Sequence, residues 1–163
     1  MKKKPKAVQP TKVYAGVLRR LGAWLYDLLI VVAILMLAGG IAMAVVASLQ
    51  YLGVVDTSGY QDVGEYLGKH PIAGILYPGY LTVVIVAFYA YFWCQSGQTL
   101  GMRAWKLRVQ NADGSNIGFT QALIRMATSA FGLGNFIALF GKDKKAFQDL
   151  MAECEVIVLP KVN

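Results

Sequence analysis

Four charged side chains stand where charge is expensive, and they are the residues that could do chemistry. Asp27 lies just inside an apolar run over residues 20–55, and the 28 residues 28–55 that follow it carry no charge. At about 1.5 Å each they rise roughly 42 Å, enough to cross a hydrocarbon core of about 30 Å with tilt. A carboxylate one or two turns inside such a helix must be paired, hydrogen-bonded or set on a water-filled cavity. Arg20 precedes Asp27 by two helical turns, with Ala23 and Trp24 between them, so the two charges share one face. That face must look into protein. Arg125 interrupts a third apolar stretch, and Asp149 sits in a short helix-forming piece near the C-terminus. Burial and a neighbouring arginine push a carboxylate in opposite senses, so such a set can be poised to exchange a proton or hold a monovalent cation. The same four groups can instead form a buried ion-pair cluster that docks segments without doing chemistry.

The elements that must position them read in order. Residues 1–13 are Lys-rich with Pro5 and Pro10, and read as a disordered basic cytoplasmic tail; residues 14–159 read as a single domain. A helix begins near Tyr14. Within it, Ala38 with Ala42 and Gly40 with Ala44 give the small-xxx-small spacing that lets a second backbone approach closely, and Gly40 and Ala44 offer a seam for a homo-oligomer. Residues 56–70 are polar and Gly-rich, with Asp56, Asp62 and Glu65 in an arrangement that matches no calcium loop. Pro71 can start a second span, because residues 72–102 are free of charge. Positive charge returns with Arg103, Lys106 and Arg108, which places that loop beside the basic N-terminus on the cytoplasmic side after two crossings.

Residues 112–115 are a turn signal between 106–110 and 116–119, which predicts a short hairpin. Thr120 is the expected N-cap of a helix over 121–131. The stretch 122–141 holds Arg125 and a Gly-rich break at 132–135, then is followed by Lys142, Lys144 and Lys145. A chain that re-emerges on the positive side predicts a re-entrant or interfacial hairpin, resuming over 136–140, with a third full crossing as the alternative. Residues 155–159 are β-branched and bounded by Pro160, a strand signal able to pair with 106–109. The expected fold is an all-α membrane protein: two transmembrane helices, a re-entrant or interfacial C-terminal helical hairpin, and short cytoplasmic strands.

Composition supports this. Of 163 residues, 56% are hydrophobic and 15% charged, with mean hydropathy +0.49, against about one quarter charged in a soluble domain. The net charge of +7 does not point to nucleic acid, because seven basic residues (Lys2, Lys3, Lys4, Lys6, Lys12, Arg19 and Arg20) cluster before the first span, where they suit anionic lipid. His70 is the single histidine, which excludes a histidine-based metal site within one chain, and Cys94 and Cys154 form no CxxC pair. The chain shows no P-loop, GxGxxG, HExxH or GxSxG string, so neither a cofactor nor an enzymatic activity is expected. Ala42-Met43-Ala44 imitates a signal-peptide cleavage site, but the long leader, Asp27 and the continuing apolar sequence predict an uncleaved anchor.

R-x-x-A-x-x-x-D at Arg20, Ala23 and Asp27, G-Q-T-L-G from Gly97 to Gly101, R-V-x-x-x-x-G at Arg108, Val109 and Gly114, A-L-x-R from Ala122 to Arg125, and the late Asp149 follow one another in this order. Together they resemble the RDD family of small bacterial membrane proteins, from Tyr14 to Leu159. The resemblance places the family's arginine on Arg20 and its two aspartates on Asp27 and Asp149. It implies a bacterial inner-membrane protein, and transport, with cation/proton exchange proposed for some members; the distribution of positive charge is what predicts that both termini are cytoplasmic. One departure is visible. Where the family runs close to H-D-R-x-x-G-T, this chain has Gln148, Asp149, Leu150 and Met151, lacking the histidine before the aspartate and the basic residue after it.

Overall fold

A computed structural model describes residues 12–129, 134–135, 138 and 145–160. The element order is α1 (Val17–Tyr51), α2 (Val63–Lys69), α3 (Ala73–Ser96), α4 (Leu100–Ala104), β1 (Leu107–Gln110), α5 (Phe119–Thr128), α6 (Phe147–Met151) and β2 (Glu155–Val158). Helices α1 and α3 are long and apolar enough to cross a membrane. Only 17% and 11% of their most apolar 18-residue windows is buried, whereas the central helix of a soluble protein hides such a face. The exposed residues include Leu29, Met36, Leu37, Ile75 and Val83, a surface suited to hydrocarbon.

Between these helices the chain is closed by local hydrogen bonds. Asp62 caps α2 by accepting from the Glu65 amide at 2.7 Å, and Lys69 pairs with Glu65 one turn on at 2.7 Å. His70 Nδ1 accepts from the amides of Ile72 and Ala73, each at 3.2 Å, so the single histidine serves the entry to α3. The sequence reading treated 56–70 as loop; seven of its residues form α2 because an Asp cap and an i,i+4 pair stabilise a short helix.

The core gathers at the other end, where Ala23, Trp93, Met102, Leu107, Val109, Ile117, Ala122 and Val156 pack together. There β1 and β2 pair antiparallel, with Leu107 opposite Val158 and Gln110 opposite Glu155. The free edge of β2 takes the segment before α1. Tyr14 bridges Ile157, the Ala15 amide donates to Val156 O at 3.0 Å, and the Val158 amide donates to Val13 O at 2.7 Å. One C-terminal strand therefore ties together the entry to the first helix and the exit from α4.

Several expectations need correction. Helix α1 starts at Val17, because Tyr14 and Ala15 are committed to β2. Helix α3 starts at Ala73 rather than Pro71 and stops at Gly97, whose φ of 67° an L side chain resists; the uncharged run then re-forms as the separate α4. No hairpin joins 106–110 to 116–119. β2 holds that edge of β1, and Asn116 accepts from Arg108 Nη2 at 3.0 Å and donates to Gln95 O at 2.8 Å. Helix α5 starts at Phe119 behind Gly118, whose amide donates to the Gln121 side chain at 2.9 Å. Lys12, assigned above to a disordered tail, is held by Glu155 at 2.6 Å. The rest of that tail up to residue 11, and the return limb 136–140 apart from Ala138, lie outside the described residues. With them lies the choice between a re-entrant hairpin and a third crossing.

Because β2 is bonded on both edges, Val158→Pro is expected to leave Val13 O without its donor, at a cost of about 1–3 kcal/mol. The N-terminal segment should detach as a result. Limited trypsin digestion should then cut after Lys12 and Arg19 faster than in the parent protein, and unchanged cleavage would contradict the strand order.

Candidate functional site

The four sequence-selected residues are all nearly buried: Arg20 is 5% exposed, Asp27 4%, Arg125 4% and Asp149 0%. They do not form one cluster. The salt bridges among the described residues give both arginines to Asp149. Asp27 is satisfied by uncharged donors.

The first group is built on α6. Asp149 lies in the first turn of that helix and caps it, accepting from the Ala146 amide at 3.0 Å through Oδ2. The same oxygen lies 2.7 Å from Arg20 Nη2 of α1, while Oδ1 accepts from Arg125 Nη1 of α5 at 2.6 Å. One carboxylate thus joins three helices. Arg20 Nε also donates to Ala15 O at 3.0 Å, and Arg125 Nη1 donates to Cys154 Sγ at 2.9 Å. The Arg125 guanidinium stands 5.0 Å from the centre of the Trp93 ring, a cation–π contact from α3. Burial works against the charge on Asp149, but the arginines beside it outweigh burial and hold its carboxyl below the usual carboxylate range. Burial likewise opposes the charge on Arg125, and Asp149 overcomes it, so its guanidinium is held above its ordinary value.

The second group is built on the turn from α3 into α4. Gly97 ends α3, the Gln98 side chain donates to Leu107 O at 2.6 Å, and Thr99 caps α4 by accepting from the Met102 amide at 3.2 Å. This turn presents two donors to α1. Thr99 Oγ1 donates to Asp27 Oδ2 at 2.5 Å, and the Gly101 amide donates to Oδ1 at 2.8 Å. Gly101 has no room for a side chain: a Cβ there would collide with Ala23 O and lie 2.9 Å from Asp27 Oδ1. The G-Q-T-L-G string is therefore a receptor for the Asp27 carboxylate. The string by itself does not announce that role; the signal that links the two is an acid in a lipid-length helix, which needs donors.

Both groups border one cavity of about 540 Å3 between α1 and α3. Its walls are apolar, from Val31, Leu35, Ile85 and Val86, and its floor carries Asp27 and Arg125. Among the described residues no three His, Cys, Asp or Glu side chains converge as a metal-binding group.

Fold and site define a small, mostly helical protein with two lipid-length helices and a buried arginine–aspartate lock at one end. The chain belongs to the RDD family, whose model matches residues 14–153. No curated protein and no solved structure matches it significantly.

Asp149→Asn removes the charge shared by two buried arginines and is expected to cost about 3–5 kcal/mol in unfolding titrations of the detergent-solubilised protein. The pH dependence has a definite sign. A carboxyl held low when folded contributes its full stabilisation above the ordinary aspartate value of about 3.9. That stabilisation fades as pH falls through the lower folded value. The parent protein should therefore lose stability below about pH 4, and the Asn variant should show a shallower acid limb.

Proposed function

We propose that this chain is an integral protein of the bacterial inner membrane that exchanges a proton or a monovalent cation at Asp27. In this reading α1 and α3 are the two crossings, and both termini, the sheet and the arginine–aspartate lock lie on the cytoplasmic side. Lys12, Arg19, Arg103, Lys106 and Arg108 flank the helix ends at that side, whereas the loop between the helices is acidic. One observation carries the assignment of the exchanging group. Asp27 borders the cavity with a hydroxyl and an amide as its donors, while both arginine bridges go to Asp149. A carboxylate without a fixed countercharge can take up a small cation, and one already clamped by two guanidinium groups cannot. Two crossings enclose little space, so the pathway belongs to a homo-oligomer. Gly40 and Ala44, both exposed on α1, offer the seam. The chemistry needs no cofactor and no covalent step.

A second reading, a non-catalytic accessory or assembly protein, is favoured by a different feature of the same residue. Both Asp27 oxygens are already occupied by internal donors, as a purely structural group would require.

Asp27→Asn separates the two. The amide keeps the shape and can still accept from the Gly101 amide, so the purified variant should stay folded. Under the transport reading, pH-driven uptake of sodium or potassium into vesicles falls to the level of protein-free vesicles. A stable Asn variant with undiminished flux would end that reading, and a parent protein without flux whose Asn variant misfolds would support the accessory role.

A further inference from the structure

The cavity floor holds more hydrogen-bonding capacity than the fold uses. Three buried polar atoms, Arg125 Nε, Trp93 Nε1 and Gln148 Oε1, have no hydrogen-bond partner among the described residues. Their residues are 4%, 8% and 5% exposed, and all three line the space between α1 and α3. A buried donor or acceptor left unmade costs about 1–3 kcal/mol, so three at one place call for an occupant able to meet them. Two are donors and one is an acceptor. The occupant's head must therefore offer acceptor oxygens for the two donors and an O–H for Gln148 Oε1, and a hydroxyl can serve in both roles.

Two further properties narrow its class. Arg20 and Arg125 are balanced by Asp149 and Asp27, so the described floor carries no net charge to select an ion. Above the floor, Val31, Leu35, Ile85 and Val86 give a hydrocarbon wall. A volume of about 540 Å3 falls in the range of about 300–1,000 Å3 usual for small-molecule pockets.

From these we infer that the cavity is a binding site for a single-chain amphiphile with an uncharged hydroxyl-bearing head, drawn from the bilayer between α1 and α3. The head takes hydrogen bonds from Arg125 Nε and Trp93 Nε1 and gives one to Gln148 Oε1, while the chain lies along the α1–α3 wall. The groups that hold the head differ from those that hold the Asp27 carboxylate, although both border the same cavity.

Native mass spectrometry of the detergent-released protein tests this, with 1-monooleoylglycerol as the probe and oleate as the charged comparison. One molecule of monooleoylglycerol should bind per chain, about tenfold more tightly than oleate. Val86→Trp fills the wall and should abolish the adduct; Gln148→Leu removes the acceptor and should weaken it by about tenfold. Asp27→Asn leaves the three partners of the head in place and should retain the glycerol ester, while admitting oleate because the floor then carries one unbalanced positive charge; lost flux with a kept glycerol-ester adduct separates this site from the transport reading. Equal adducts in the parent and Val86→Trp proteins, or oleate binding to the parent as well as the glycerol ester does, would overturn the assignment.

Discussion

A carboxylate with no access to solvent, held between two guanidinium groups, is the constraint on which the rest of this structure depends. Asp149 is 0% exposed, and its partners come from the first helix and from α5. Ionising such a group is tolerable only while both arginines are in place, and burying those arginines is tolerable only while the carboxylate is there. This mutual requirement makes the arrangement a device of specificity more than of raw stability. It admits one docking of α6 against α1 and α5, and the three residues between Met151 and Glu155 then carry the chain directly into β2. Once that strand is placed, its two edges fix the segment before α1 and the strand after α4.

Asp27 illustrates the opposite solution to the same problem. It is as buried as the arginines, yet it is answered by a hydroxyl and an amide rather than by charge. Hydrogen bonds to an ionised acceptor are about twice as strong as neutral ones and shorter, in keeping with the 2.5 Å and 2.8 Å contacts here. The arrangement also demands close backbone approach. The first-helix carbonyl at Ala23 lies where a side chain at residue 101 would be, so a glycine there is a condition of α4 docking on α1.

Much of this was legible beforehand, and what was hidden was hidden for a physical reason. Length and apolarity mark α1 and α3, because a lipid-length helix must be written as an uninterrupted run. The shared face of Arg20 and Asp27 follows from a two-turn spacing. Their partners do not, since periodicity says which way a side chain points and nothing about which distant segment lies opposite. Thr99 is 72 residues from Asp27 and Asp149 is 24 from Arg125. For this reason the sequence leaves open that Arg20 and Arg125 both pair with Asp149 while Asp27 is met by Thr99 and Gly101. Four charges in apolar surroundings must be compensated, but a carboxylate can be met by two neutral hydrogen-bond donors in place of an arginine. The strand at 155–159 was legible from its β-branched residues, while the local hairpin at 112–115 was misread because a good turn does not ensure that its flanks pair. Asn116 turns away to serve Arg108 and Gln95, and the partner arrives from the end of the chain.

The cavity follows from how the two long helices are joined. Away from the site they meet through small residues: Ala38 and Gly39 are buried, and the Tyr80 hydroxyl donates to Ala38 O at 3.5 Å. At the site end α1 packs on α4 through the Asp27 receptor, and α3 reaches α5 where Trp93 stacks on Arg125. Between these two attachments, from about Asp27 to Leu35 on one helix and Thr82 to Tyr89 on the other, there is no comparable pair of small residues to draw the backbones together. Bulky side chains hold the helices apart, and the space left is apolar along its length and polar only at the floor. A gap of that kind cannot be closed by sliding one helix toward the other, because the Asp149 lock fixes one end and the Ala38 contact the other. The same buried charges that specify the packing therefore keep open a space between α1 and α3 that can receive something from outside.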